Sequence, residues 1–217
     1  MSPDLRSDAR RNRERIVAAA SELFAEHGEG VCVDDIARRA GVGQATVFRR
    51  FPTKDDLVLA MFEQRITDAA EAVEAIAQAV GDPWEALAAA MAEVASRQSR
   101  DRGMSQTITS GVIGAPELRE ARERVTAPFR SLLARAQEAG AVRDDLTAED
   151  VLFLISAAGN AQPCQLGLPD LWRRYLGVIL DGMRPAGASP LPGPPPSPAE
   201  VEEALEAAAA RRPGGHG

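Results

Sequence analysis

Between residues 11 and 27 the apolar side chains Ile16, Ala19, Ala20, Leu23 and Phe24 recur at intervals of three and four, the pattern of a helix with one apolar face. HGEG at 27–30 supplies a stop, with Gly28 suited to a left-handed closing residue. In VDDIARRAG (33–41), Val33, Ile36, Ala37 and Ala40 share a face, Gly41 ends it, and Asp34 and Asp35 occupy the first turn, where the helix dipole favours acids. Gly43-Gln44-Ala45-Thr46 then opens a third, short helix that turns Val47 and Phe51 inward and that Pro52 ends.

Helix, short helix, glycine-containing turn and short helix is the helix-turn-helix order. Thr53 caps the next helix with an acid three residues on, and Leu57, Met61, Ile66, Ala69, Val73 and Ile76 mark its stripe as far as Gly81-Asp82-Pro83. Residues 84–100 repeat the signal through Leu87, Met91 and Val94. Over 103–116 the period dissolves among Gly, Ser and Thr, which predicts short helix and loop in a mobile segment. It returns over 117–139 through Leu118, Val125, Phe129, Leu132 and Leu133. Thr147, with Asp150 three residues on, caps VLFLISAAGNAQPCQ, apolar on most sides, and 171–183 forms the last helix of the body. Such all-round apolarity predicts burial at a subunit interface as well as in the core. Seven prolines then fall in 185–198. The segment 199–212 beyond them has only Val201 and Leu205 to bury, so a solvated, disordered tail is expected, with a short acidic helix as the alternative. The fold class predicted is all-α: an arm over 1–9, a three-helix domain over 10–54, a larger helical domain over 55–184 and the tail over 185–217.

Composition sharpens this picture. Aromatic residues make up 4% of 217, and alanine and leucine abound, which suits helix packed on helix. The formal charge is −7, yet residues 1–54 sum to +2 and the remainder to −9. Screening over ~10 Å lets an acidic chain carry a locally basic face. The opening MSPDLRSDARRNRER has no apolar stretch behind its cations, and no apolar run approaches the ~18 residues of a membrane span. With Cys32 and Cys164 far apart, a cytoplasmic protein with reduced thiols is expected. Enzyme chemistry finds few parts. The histidines are His27 and His216, no Cys/His cluster has metal-ligand spacing, and neither a phosphate-cradling loop nor G-x-S-x-G occurs. Neither cofactor nor metal is expected.

The set Arg15-Ile16, Ala19-Ala20, Leu23-Phe24, Gly28, then Asp35-Ile36-Ala37, Ala40-Gly41-Val42, then Thr46-Val47-Phe48, Phe51-Pro52, Lys54 and Leu57 strongly resembles the TetR family of bacterial transcriptional regulators. The resemblance covers roughly residues 10–60. A recognition helix presents its N-terminal residues to base edges while its flanks hold phosphates. Gln44 suits a bidentate pair with adenine and Ala45 a thymine methyl. The resemblance implies Gly43, Gln44 and Ala45 as base-facing positions, and Thr46, Arg49, Arg50 and Lys54 as phosphate contacts. Phe48 stands where the family usually has a tyrosine whose hydroxyl touches the DNA backbone, so it keeps the packing and loses that bond. Cys32 stands where Ser or Thr is usual. Arg10, Arg11 and Arg13 form either an arm along the DNA or a solvated terminus.

The resemblance further implies a C-terminal domain that dimerises and holds a small molecule, whose binding reorients two DNA-reading heads on a palindromic operator. Trp84, Met91, Met104, Phe129, Phe153 and Trp172 are the candidates to line an apolar ligand cavity, with Gln106, Thr109 and Asn160 to orient the ligand; each apolar residue taken singly suits plain core packing better. The helices over 151–162 and 168–183 are the expected dimer interface, through Phe153, Ala157, Asn160 and Trp172. Asn160 suits either role. The alternative function is a helical interaction protein whose helix-turn-helix binds protein, and a DNA-binding activator shares every motif with a repressor.

Overall fold

The computed structural model describes residues 3–27, 30–100, 112–159, 168 and 170–211. Nine α-helices and no strand occur among the described residues: α1 Pro3–His27, α2 Val33–Ala40, α3 Gln44–Arg50, α4 Lys54–Ala79, α5 Pro83–Arg100, α6 Arg119–Glu138, α7 Ala148–Gly159, α8 Leu171–Met183 and α9 Pro198–Ala210. Two 3-10 turns, Val112–Gly114 and Pro116–Leu118, precede α6. The chain divides into two compact units, one ending at Arg65 and one running from Ile66 to Arg212. The division thus falls inside α4, eleven residues beyond the expected end of the first domain at residue 54, and Leu57, Ala60 and Met61 pack into the first core.

That first core joins Ile16, Ala20 and Leu23 of α1 to Ile36 and Ala40 of α2 and Val47 of α3, all at most 5% exposed. The second core is built by α5, α6, α7 and α8 with the later part of α4. Leu87 and Met91 of α5, Phe129 of α6 and Val151 and Ile155 of α7 are fully enclosed there. Local chemistry sets the ends. Asp82 Oδ1 accepts the Glu85 N–H (2.9 Å) to start α5, and Thr147 and Asp150 cap α7 reciprocally. Gly140, at φ 66°, closes α6 in a Schellman turn in which Ala141 N–H reaches Ala136 C=O (2.9 Å).

Two expectations meet a different structure. α1 is helical from Pro3, where an arm over 1–9 is expected. Residues 185–197 hold no helix, but α9 follows, where a disordered tail is expected; its cap and packing are taken up below. The proposed stop at Gly28 and residues 103–111 lie outside the described residues.

Enclosure on all sides makes Phe129 costly to truncate. Phe129→Ala should lower unfolding free energy by about 3–5 kcal/mol in urea titration, whereas Glu203→Ala on exposed α9 should stay within about 0.5 kcal/mol.

Candidate nucleic-acid interface

The short helix α3 is held from beneath. Val47 is 1% exposed and Phe51 is 7% exposed, both in the first core, so residues one and two positions either side of Val47 are turned outward. Gly43, Gln44, Ala45, Arg49 and Arg50 are exposed, Thr46 is half-buried, and Phe48 stands 52% exposed. The eight residues expected to meet DNA therefore lie on or next to α3, with Lys54 opening α4.

The angle of α3 is set by the turn before it. Gly41 adopts φ 64°, ψ 40°, its N–H reaching Arg38 C=O (3.2 Å), while Val42 N–H reaches Ala37 C=O (3.0 Å). This pair of bonds is the Schellman motif, and Val42 packs half-buried against the core. Arg15 of α1 donates to the Gly41 carbonyl (3.2 Å), tying the turn to the first helix. At the far end Thr53 and Asp56 cap α4 reciprocally, Asp56 N–H to Thr53 Oγ1 (3.1 Å) and Thr53 N–H to Asp56 Oδ2 (2.9 Å). Lys54 Nζ lies 5.6 Å from the centre of the Phe24 ring, which holds the ammonium over an apolar face.

Carboxylates sort the head's cations. Arg39 is gripped by Glu22 (2.9 Å) and Glu26 (3.2 Å), and its hydrogen bond holds Glu26 below the usual carboxylate range. Arg38 pairs with Asp35 (2.9 Å), Arg11 with Asp8 and Arg13 with Glu63. Among the described residues Arg49 and Arg50 engage no carboxylate and no hydrogen-bond acceptor. The Gln44 amide donates to Asp34 at the start of α2, which aims it before any ligand arrives.

Cys32 precedes α2 without capping it. Its thiol instead donates to Asp35 Oδ2 (2.9 Å), the main cause of that carboxyl's lowered pKa.

The residues expected at the ligand and dimer sites are distributed unevenly. Met91 and Phe129 are enclosed in the second core, and Trp84 is half-buried at its edge with Arg184 stacked 3.6 Å from its ring centre. Trp172, expected at the dimer interface, is 3% exposed and faces the core. Phe153 is 52% exposed and so lines no interior space of this chain, while Ala157 is exposed four residues on along the same face of α7. Tyr175 and Val178 of α8, which the sequence reading does not single out, are 42% and 66% exposed. Met104, Gln106, Thr109 and Asn160 lie outside the described residues. An open cleft of about 330 Å³ lies elsewhere, among Gln137, Val142, Arg143, Asp145, Pro185 and Ser189, where Arg143 is already held by Asp145 and the Ser189 carbonyl.

Comparison with known proteins places these features in context. Residues 16–61 match a family model described as bacterial regulatory proteins, tetR family, and residues 82–185 match one described as transcriptional regulator SbtR-like, C-terminal domain. A solved TetR transcription regulatory protein from Mycobacterium vanbaalenii is 34% identical, with 83% of this chain and 99% of that one covered at a TM-score of 0.60. A TetR transcriptional regulator from Streptomyces coelicolor is 28% identical over 81% and 99%, also at 0.60. An HTH-type transcriptional regulator of Staphylococcus aureus is 43% identical over 54 residues, 24% of this chain and 29% of the relative, so the match spans under a third of that curated protein's length.

Two substitutions test the head's geometry. Gly41→Ala forces a side chain into the left-handed region and brings its Cβ to 2.6 Å from Arg15 Nη2. It should destabilise the chain by about 1–2 kcal/mol in chemical denaturation. Cys32→Ser should act in the opposite sense, adding a side-chain cap worth about 0.5–1 kcal/mol in the same assay.

Proposed function

The chain belongs to the TetR family of bacterial transcriptional regulators, and on that premise we propose that it is a repressor that leaves a palindromic operator when a small molecule binds its second unit. The observation that carries this reading is the pair Arg49 and Arg50, exposed and without carboxylate partners among the described residues, at the end of a helix whose outward N-terminal residues are Gly43, Gln44 and Ala45. Guanidinium groups left unneutralised on a short, rigidly backed helix suit phosphate oxygens, and Lys54 adds a cation at the N-terminus of α4. Gln44 and Ala45 then read bases, Thr46 and the cations set register, and Phe48 packs against sugar or methyl surface. The work takes place where the chromosome is, in the cytoplasm.

An isologous dimer supplies the second head. Phe153 and Ala157 on α7 with Tyr175 and Val178 on α8 form an exposed, largely apolar face on neighbouring helices, which supports a four-helix contact between two copies. The effector is read as a mainly apolar small molecule taken up by the second unit, with half-buried Trp84 at the edge of its core the expected point of contact. The activator and the protein-binding module remain the readings to be beaten.

Recovery of genomic fragments with purified protein tests the proposal. A few palindromic intergenic fragments should be enriched, and Arg49→Ala/Lys54→Ala should lose them; if the folded wild-type protein enriches none, operator binding fails. On a recovered operator, log affinity should fall linearly with log salt, Lys54→Ala should lower that slope by about one, and Gln44→Ala should cost about 1–3 kcal/mol and relax preference at one base pair. A flat salt response would favour the protein-binding module. Val178→Asp should turn the dimer into a monomer in sedimentation and weaken operator binding at least tenfold, because each half-site then acts alone.

A further inference from the structure

Beyond α8 the chain runs through six prolines between 185 and 197, exposed except at half-buried Pro196. Prolines at this density hold an extended, semi-rigid connector. Ser197 then starts a helix on its own terms. Its Oγ accepts the Glu200 N–H (3.2 Å), its N–H donates to Glu200 Oε2 (2.8 Å), and Pro198 takes the first helical position. α9 is therefore encoded locally, before any packing.

It packs on the first of the two 3-10 turns ahead of α6, Val112–Gly114. A Cβ on Gly114 would overlap the Leu205 carbonyl group and stand 3.2 Å from Leu205 Cα, so the backbones approach as only glycine permits. Glu202 meets Arg119 (3.1 Å) and Arg122, and Glu206 meets Arg119. The Arg122 side chain is only 11% exposed, and its Nη1 also donates to the Ala115 carbonyl (3.0 Å). With the helix docked, Val112 of the receiving turn is fully enclosed. The arriving helix is shallow: none of its residues is fully buried, and Val201, Leu205, Ala207 and Ala209 are half-covered. A nearly buried guanidinium requires an anion, and here a tethered, lightly held helix brings it.

We propose that α9 is a built-in occupant of an anion site: Arg119 and Arg122 hold the Glu202 and Glu206 carboxylates while the helix is docked, and a free carboxylate or phosphate ligand once it swings out on its proline tether. The tether fixes the terms of competition. A short linker gives the helix an effective concentration in the millimolar range, so a free anion displaces it only when it binds the arginines more tightly than two glutamates do. Removing those carboxylates should expose the site without touching its walls.

The experiment uses the full-length chain, its Glu202→Gln/Glu206→Gln variant and Gly114→Val. Hydrogen exchange should find residues 198–210 protected in the wild type and at least tenfold less protected in both variants, with thermal unfolding of the remainder unchanged. Calorimetric titration with pyrophosphate and with decanoate, as phosphate and carboxylate probes, should show at least one bound tenfold or more tightly by the Glu202→Gln/Glu206→Gln protein than by the wild type. Adding Arg122→Ala should remove that gain. Unchanged protection in the variants would overturn the docking relationship. Equal affinity of wild type and variant for both probes, or binding of neither, would overturn the anion site.

Discussion

A helix of seven residues cannot persist by itself in water, because nucleation costs more than its few hydrogen bonds return. α3 is such a helix, and it exists because Val47 and Phe51 are pressed into the core formed by α1, α2 and the start of α4. Every interaction with DNA proposed for this chain therefore depends on the burial of two side chains that meet no DNA. The Gly41–Val42 turn fixes the direction in which the burial is made, and the Thr53–Asp56 cap resets the chain immediately after it. Between these two stops hardly any residue is free to move without moving the core.

Electrostatics completes the arrangement by subtraction. The chain is acidic, so a basic surface is made less by adding cations than by choosing which to neutralise. Glu22 and Glu26 hold Arg39, Asp35 holds Arg38 and Glu63 holds Arg13, while the end of α3 receives no carboxylate among the described residues. The contrast with Arg119 and Arg122 is instructive. There the arginines are neutralised by a helix that begins fifteen residues past Met183, the end of the last core element, with little apolar burial of its own.

The helical order was legible because the apolar stripes repeat with the helix period and because Thr53, Thr147, Gly41 and Gly140 mark the ends. The outward side of α3 was legible for the same reason: once Val47 and Phe51 are assigned inward, Gln44, Ala45, Arg49 and Arg50 are left exposed. Trp172 misled because a large aromatic residue near an expected interface reads as an anchor, whereas Trp172, Leu176 and Met183 form the inward row of α8 and leave Tyr175 and Val178 outward. Sorting α8 by face would have found both. Helix α9 was harder to foresee. Its stabilising contacts are a serine–glutamate cap and arginines about eighty residues distant, and an apolar count registers neither. The family match places the chain among its relatives and leaves that helix untouched, since the matched regions end at residue 185.

Gly114 lies inside the matched region and Leu205 lies outside it. A chain that loses the C-terminal helix frees position 114 to accept any side chain, and one larger side chain there bars the helix from returning to its seat. Loss of the segment thus behaves as a ratchet over descent. Among relatives that keep an acidic helix after a proline-rich connector, position 114 is expected to stay glycine, and where the connector has gone it is expected to drift. The smallest residue in the turn then records whether a distant part of the chain is still in use.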